Sequence, residues 1–418
     1  MASQLQVLLF LLGFIHLATA QIPRRLERTL LPQGTVAQEY ADQGHSVAID
    51  QGIAAVGIPF ADVGRPRGGV VQIYDVSNGA LLRTLTNPVL GDDLFGKAVA
   101  ICGTHVAVVA GRVTSSVVHI FDLEAGNPGV PVTTLLPPTA DHKWTGVAVA
   151  VDGSRVVVGS EEDEEVYVFE PAGPNPQVPT ITLRNQLAVG QGFGHAVAID
   201  GERLIVGAPY RTDFPQGVGQ AYAFDLANPT AQPLIFYYPE YYASPPHYNA
   251  NFGHSVAISG KWVVIGAPDL GFVSIGPGRA YAYDLTGAKP TEPVKKFSNP
   301  APTNGDYFGY SVGVADTWVV IGAFGESVDG NGAGIAYVYN LASPTAETAA
   351  LAIRNPSPRP GDSFWMVHKP FWVTGGHWSK WRRHLRHGRR RCLCIRPRQG
   401  NTGYSRCRAK SAESRRRR

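Results

Sequence analysis

The chain has 418 residues, a formal net charge of +4 and 44% apolar residues, with 47 glycines, 32 prolines and only 4 cysteines. This is enough apolar material for a large core, and it excludes a disulfide-stapled scaffold. The charge is unevenly spread. Trp365 to Arg418 hold 17 of the 37 Lys+Arg and a single acid, Glu413, a net +16, while the preceding 364 residues hold 20 basic and 32 acidic groups, a net −12.

Residues 1–20 read as a signal peptide. Val7 to Ile15 is an apolar run of the right size, and Ala18-Thr19-Ala20 is a small-residue cleavage site before Gln21. The run is too short for a membrane-spanning helix. The expected location is secreted, periplasmic or cell surface. Next, Leu26-Glu27-Arg28-Thr29-Leu30-Leu31 reads like Leu81-Leu82-Arg83-Thr84-Leu85, an isolated copy of an outer strand.

A repeat then fills residues 21–364. Near Gly44, Gly96, Gly146, Gly194, Gly253 and Gly309 a unit restarts as GHSVAID, FGKAVAI, TGVAVAV, FGHAVAI, FGHSVAI and FGYSVGV. The unit is clearest from Asn251 to Asn299. Phe252 to Ile258 alternates as a strand and Ser259-Gly260 is a turn. Trp262 to Ala267 is a nearly continuous apolar strand. A variable loop leads to Gly278 to Asp284, which alternates again, and Val294 to Phe297 is a weaker edge strand. Four short antiparallel strands form a blade, and such blades must stack to bury both faces. β-branched and aromatic residues dominate the units and Pro is frequent, so a helical array is disfavoured. The expected fold is therefore all-β, a propeller of seven-bladed plan. Its seventh blade would take an outer strand from Leu26–Leu31 and needs three more from the C-terminus.

Asp152-Gly153 and Asp200-Gly201 read as hairpin turn pairs. His45, His195 and His254 hold equivalent places in three units; repetition favours a packing or hydrogen-bonding role, with a metal cluster the alternative if they face the axis. Glu161-Glu162-Asp163-Glu164-Glu165 reads as a solvated turn, with weak calcium binding as the alternative. Phe236-Tyr237-Tyr238-Pro239-Glu240-Tyr241-Tyr242 either completes a blade edge or contacts a sugar or protein. Cys102 is expected as a buried thiol in the first strand of the second blade.

The quoted FG-x-[SA]-V segments resemble the FG-GAP repeats of integrin-alpha-like β-propellers. So do Gly207-Ala208-Pro209, Gly266-Ala267-Pro268 and Gly219-Gln220-Ala221-Tyr222-Ala223-Phe224-Asp225. The resemblance covers about Gln38 to Phe364. It implies calcium loops between the first two strands of some blades, but tight Asp-Gly and Ser-Gly turns stand there, so no cofactor is expected. Asp329-Gly330-Asn331-Gly332 supplies too few ligands. No catalytic or metal-binding residue is assigned.

The repeat breaks off after Gly361-Asp362-Ser363-Phe364, and residues 365–418 form a basic, irregular tail. Such a tail would bind nucleic acid or anionic lipid, or stay disordered. A change of reading frame accounts for its abrupt start. Codons for Trp365 through Trp378, read one base later, can spell G-W-S-I-S-L-S-G, two loosely fixed residues, then V-V-I-G. Those for Trp381 through Arg398 can end in A-Y-V-Y-D-L-A. These resemble Phe308 to Gly322 and, at the end, Gly334 to Ala342. The seventh blade is therefore expected to be incomplete or frameshifted. The function expected is a binding or adhesion-type module for protein or glycan, using loops such as Arg211 to Val218 and Asp269 to Pro277. Nucleic acid is not an expected partner. The alternatives are a propeller polysaccharide lyase or hydrolase, or a nonfunctional fragment of a larger surface protein.

Overall fold

The computed structural model describes residues 44–354, apart from loops at 64–65, 90–93, 113–114, 140, 143, 145–146, 186–190, 211–217, 241–249, 271–275 and 327–333, together with the backbone of 28–30, 362–365, 378–384 and 391–395.

Six four-stranded antiparallel sheets follow one another, each a meander in chain order. Blade 1 is Ser46–Asp50, Ile53–Ile58, Val70–Asp75 and Leu81–Thr86. Blade 2 is Ala98–Cys102, His105–Arg112, Ser115–Asp122 and Thr133–Leu135. Blade 3 is Ala148–Asp152, Arg155–Ser160, Glu165–Phe169 and Ile181–Arg184. Blade 4 is Ala196–Asp200, Arg203–Ala208, Gln220–Asp225 and Leu234–Tyr237. Blade 5 is Ser255–Ser259, Trp262–Ala267, Arg279–Asp284 and Lys295–Ser298. Blade 6 is Phe308–Ala315, Trp318–Ala323, Ile335–Asn340 and Leu351–Arg354. The first strands of successive blades pack on one another and ring the axis. The fourth strands lie outermost and alternate exposed with buried residues, as in Lys295–Ser298. The chain is an all-β propeller of six such blades.

The core is a set of layers between blades. Five apolar clusters each join one blade to the next. A sixth holds the remaining faces of blade 6 and blade 1, with Val320, Ala336 and Val338 alongside Val56, Val70 and Tyr74. Each buried Val, Ile or Phe contributes roughly 1.5–3 kcal/mol relative to exposure. Within a unit, the Phe before the glycine fills its own blade. Phe95, Phe193, Phe252 and Phe308 are fully buried, and Phe252 packs on Tyr281 and Tyr283 with ring centroids 5.8 and 6.5 Å apart. Blade 3 uses Trp144 instead, against Tyr167 and Phe169. The glycine after the Phe takes a φ between 89° and 92° at Gly96, Gly194, Gly253 and Gly309. A Cβ on Gly253 would overlap the backbone oxygen of Gln220, and one on Gly309 that of Arg279, so only Gly lets neighbouring blades close.

The isolated strand of the sequence is Arg28–Leu30. It pairs with Cys392 to Cys394, not with blade 1. The backbone order is Arg28–Leu30, Arg391–Ile395, Trp378–His384, Asp362–Trp365. Asp362–Trp365 lies against the second and third strands of blade 6. This ladder differs from the six blades. Twelve residues, 366–377, separate its first two strands, where every blade has two.

Candidate functional site

The two ends of the axis are built differently. At one end the first two strands of each blade are joined by two-residue turns, with a left-handed first residue: Gln51, Gly103, Gly153, Gly201, Gly260 and Asp316. The sequence places Asp152 and Asp200 within these turns. They are instead the last residues of the first strands, paired with Arg155 and Arg203. Their carboxylates reach the next blade. Asp50 Oδ2 accepts from the Gly103 N–H at 2.6 Å and Asp152 Oδ2 from the Gly201 N–H at 2.6 Å. Asp200 Oδ2 accepts from Gly260 N–H, and Ser259 Oγ accepts from Asp316 N–H at 3.1 Å.

Cys102 Sγ takes the same place in blade 2 and accepts from Gly153 N–H at 3.4 Å. It lies in the expected strand but is half-buried, because it ends that strand at the turn face. Burial still pushes its thiol pKa up. Arginines add a second layer: Arg155 donates to the Gly201 carbonyl and Arg203 to that of Gly260. The turn end is thus a chain of inter-blade clasps running from blade 1 to blade 6. Position alone marks these residues in the sequence, since Asp, Cys and Ser all perform the one task.

The other end carries the loops between second and third strands. The residue after each FG glycine sits there, at the start of the innermost strands: His45, Lys97, Val147, His195, His254 and Tyr310. These residues form a connected series over blades 3 to 6. His195 Nδ1 and Glu161 Oε2 are hydrogen-bonded at 2.8 Å. His195 and His254 have ring centroids 4.8 Å apart, and His254 and Tyr310 4.5 Å. Tyr310 meets Phe324 at 4.5 Å, and Phe324 stacks on Tyr307 at 4.8 Å. Tyr210 lies edge-on to His195 at 5.4 Å. Burial, then the Glu161 and Tyr310 charges, push the Tyr210 phenol up to about 12, so it remains a neutral hydrogen-bond donor near pH 7. Lys97 is half-buried; desolvation lowers its pKa and Glu161 opposes that shift.

Of the three equivalent histidines, two are brought together. His45 stands apart, with its ring 6.1 Å from Phe60. Among the described residues no group of three or more His, Cys, Asp or Glu is placed to hold a metal ion.

The acidic loop of blade 3 is a turn with Glu162 exposed, as expected, but its other members are stitched into the fold. Ser160 Oγ donates to Asp163, and Glu164 accepts from the N–H groups of Gly192 and Phe193 in blade 4. Glu165 accepts from Tyr167 and pairs with Arg184 at 2.5 Å. The spacing of this loop from the next FG unit was the available signal, but composition alone suggested a surface turn.

The aromatic stretch completes a blade edge. Phe236 and Tyr238 are buried and Tyr237 is exposed. Glu240 pairs with Arg279 and Lys296 and accepts from Tyr281. Burial alone would raise its pKa, but Lys296 and Arg279 hold it below the usual range. Tyr241 and Tyr242 lie outside the described residues, as do 211–217, 271–275 and Asp329 to Gly332.

Asp269 opens the loop after the second strand of blade 5. Its backbone is left-handed, with φ 56°, and its Oδ1 is buried without a hydrogen-bond partner. Desolvation raises its pKa to about 6, partly offset by the Gly276 N–H and Arg279. In blade 6 a buried network joins Asn299, Asp306, Glu326 and Tyr337. No helix among the described residues is long and apolar enough to cross a membrane.

Compared with known protein families, residues 185–224 and 295–339 match the FG-GAP repeat. A comparison with curated proteins returned no match.

Proposed function

Because the chain is built of FG-GAP repeats in the propeller arrangement typical of integrin-alpha-like domains, we propose that it is an exported binding module whose ligand surface is the loop-bearing end. One observation carries this reading. The turn end repeats a single clasp, whereas the loop end gathers dissimilar side chains at the centre of a rigid ring. Binding residues concentrate on loops held by such scaffolds. Export follows from the apolar run and the Ala18-Thr19-Ala20 site. A screen of the secreted chain against protein and glycan arrays tests the reading. Saturable binding to at least one class is expected; no saturable partner in either class refutes it.

The ring itself is completed, in this reading, by a seventh blade whose outer strand is Arg28–Leu30. The remaining faces of blades 1 and 6 favour closure, since Tyr74, Val56 and Ala336 on them are each fully buried. Residues 365–418 are an out-of-frame version of that blade. Trp and Met each have one codon, so the frame one base later must read Gly-Trp at positions 365 and 366. That fixed Gly falls where Gly96, Gly194, Gly253 and Gly309 take φ near 90° and exclude a Cβ. In this chain Trp365 occupies that position, and the ladder there is out of step with the six blades. Sequencing the locus and its transcript decides the matter. An open shifted frame continuing to A-Y-V-Y-D-L-A is expected; stop codons throughout it would refute the frame change.

A further inference from the structure

We propose that the centre of the loop-bearing end is a saccharide subsite for one neutral sugar ring, stacked on the aromatic series of blades 4 to 6 and hydrogen-bonded by Lys97 and Glu161. The proposal rests on the reading of this end as the binding surface and adds the ligand class. Three features specify that class.

The first is ring surface. Tyr210, His195, His254, Tyr310 and Phe324 form an unbroken run of ring contacts between 4.5 and 5.4 Å. The run crosses three blades, and its members sit at the starts of the innermost strands or just after their partner strands. Tyr210 keeps 38% of its surface exposed, whereas His254, in the middle of the run, keeps 6%. Ligand sites combine such ring faces with a few convergent polar groups.

The second is the polar pair. Glu161 uses Oε2 on His195, which leaves Oε1, and its side chain is 29% exposed. The Lys97 side chain forms no ion pair or hydrogen bond among the described residues, and it stands just before the innermost strand of blade 2, the place His195 holds in blade 4. One group only accepts and the other only donates. A sugar hydroxyl does both.

The third is charge balance. A uronate placed here would meet Glu161 as well as Lys97, and an ammonium Lys97 as well as Glu161; each would gain one opposite charge and desolvate one like-charged pair. A neutral polyol incurs neither cost. The turn end offers no comparable group, since its carboxylates are taken up by backbone N–H groups.

The full chain is titrated calorimetrically with neutral tetrasaccharides of glucose, mannose, xylose and galactose. Polygalacturonate and a trimethyl-lysine peptide serve as charged comparators. Saturable binding of one neutral series is expected, weakened at least about tenfold by Tyr310→Ala and by Lys97→Ala. Lys97→Ala breaks no side-chain hydrogen bond or ion pair among the described residues, so it remains informative if Tyr310→Ala fails to fold. Neutral binding unchanged in Lys97→Ala, or tighter binding of either comparator, overturns the subsite. No sugar binding while a protein partner saturates also overturns it, and leaves the binding-module reading in place. Failure of every partner class removes both.

Discussion

The two ends of this propeller vary in opposite senses. At the turn end the bridging residue changes along the chain, from Asp50 to Cys102, Asp152, Asp200 and Ser259, yet each does the same thing: it accepts the next blade's turn N–H. At the loop end the residue after the FG glycine changes and so does what it touches. His195 meets a carboxylate, His254 meets two rings, and Lys97 meets neither. Variation of residue with constancy of contact is the mark of architecture. Variation of contact is where a repeat protein has room for function.

The largest test of that contrast concerns what both ends depend on. Gly253→Ala should cost on the order of 4 kcal/mol or more, through a strained backbone and overlap with Gln220. Denaturant unfolding should lose its single cooperative transition. A small effect would mean that the FG glycines do not set blade spacing.

Next come the clasps. Asp50→Ala and Asp200→Ala should each cost about 1.5 kcal/mol, by leaving a turn N–H without its carboxylate. They serve different interfaces, so the double variant should cost about 3 kcal/mol in chemical denaturation. Marked non-additivity would show that the clasps act as one unit.

At the loop end, Asp269 gives a pH signature. Its folded pKa is raised from 3.8 to about 6, so the stability linked to it is full below 3.8 and is lost as pH rises through 6. Asp269→Asn should stabilise the fold by about 1–2 kcal/mol at pH 7 and by almost nothing at pH 4. Melting curves at the two pH values check this; an equal effect at both would place the carboxylate in water.

The smallest effect is expected from Arg155→Ala. Its bond to Glu202 spans blades 3 and 4 at 2.7 Å, but Glu202 is 49% exposed, so the loss should stay below about 0.5 kcal/mol. A loss matching that of the Asp variants would move the clasp from the carboxylates to the arginines.

The blades were legible in the sequence because strand, turn and strand recur in phase from Gly44 to Gly309. The isolated strand Leu26 to Leu31 was legible for the same reason, as a copy out of place. The clasps were not, because Asp152-Gly153 has the composition of a hairpin turn. Only the next blade's Gly201 N–H shows that the Asp points outward. The acidic loop misled in the same way. Five consecutive acidic residues suggest solvent, as holds for Glu162, while distant partners engage two of the others: Gly192 and Phe193 for Glu164, and Arg184 for Glu165. The grouping of His195 with His254 follows from the repeat once each first strand is known to pack on its predecessor. The sequence alone does not say which face of the strand each ring occupies.

The clasps also have a direction in time. In each one the acceptor belongs to the earlier blade and the donor to the later. A chain emerging from the ribosome therefore presents a finished acceptor before the turn that needs it has been made, and assembly can advance blade by blade in the order of synthesis. Arg28–Leu30 is the exception. It precedes every blade in the chain, and its partner, Arg391–Ile395, follows them all. Closing so long a loop adds only a logarithmic entropic cost, so that pairing is delayed mainly by the wait for the later strand.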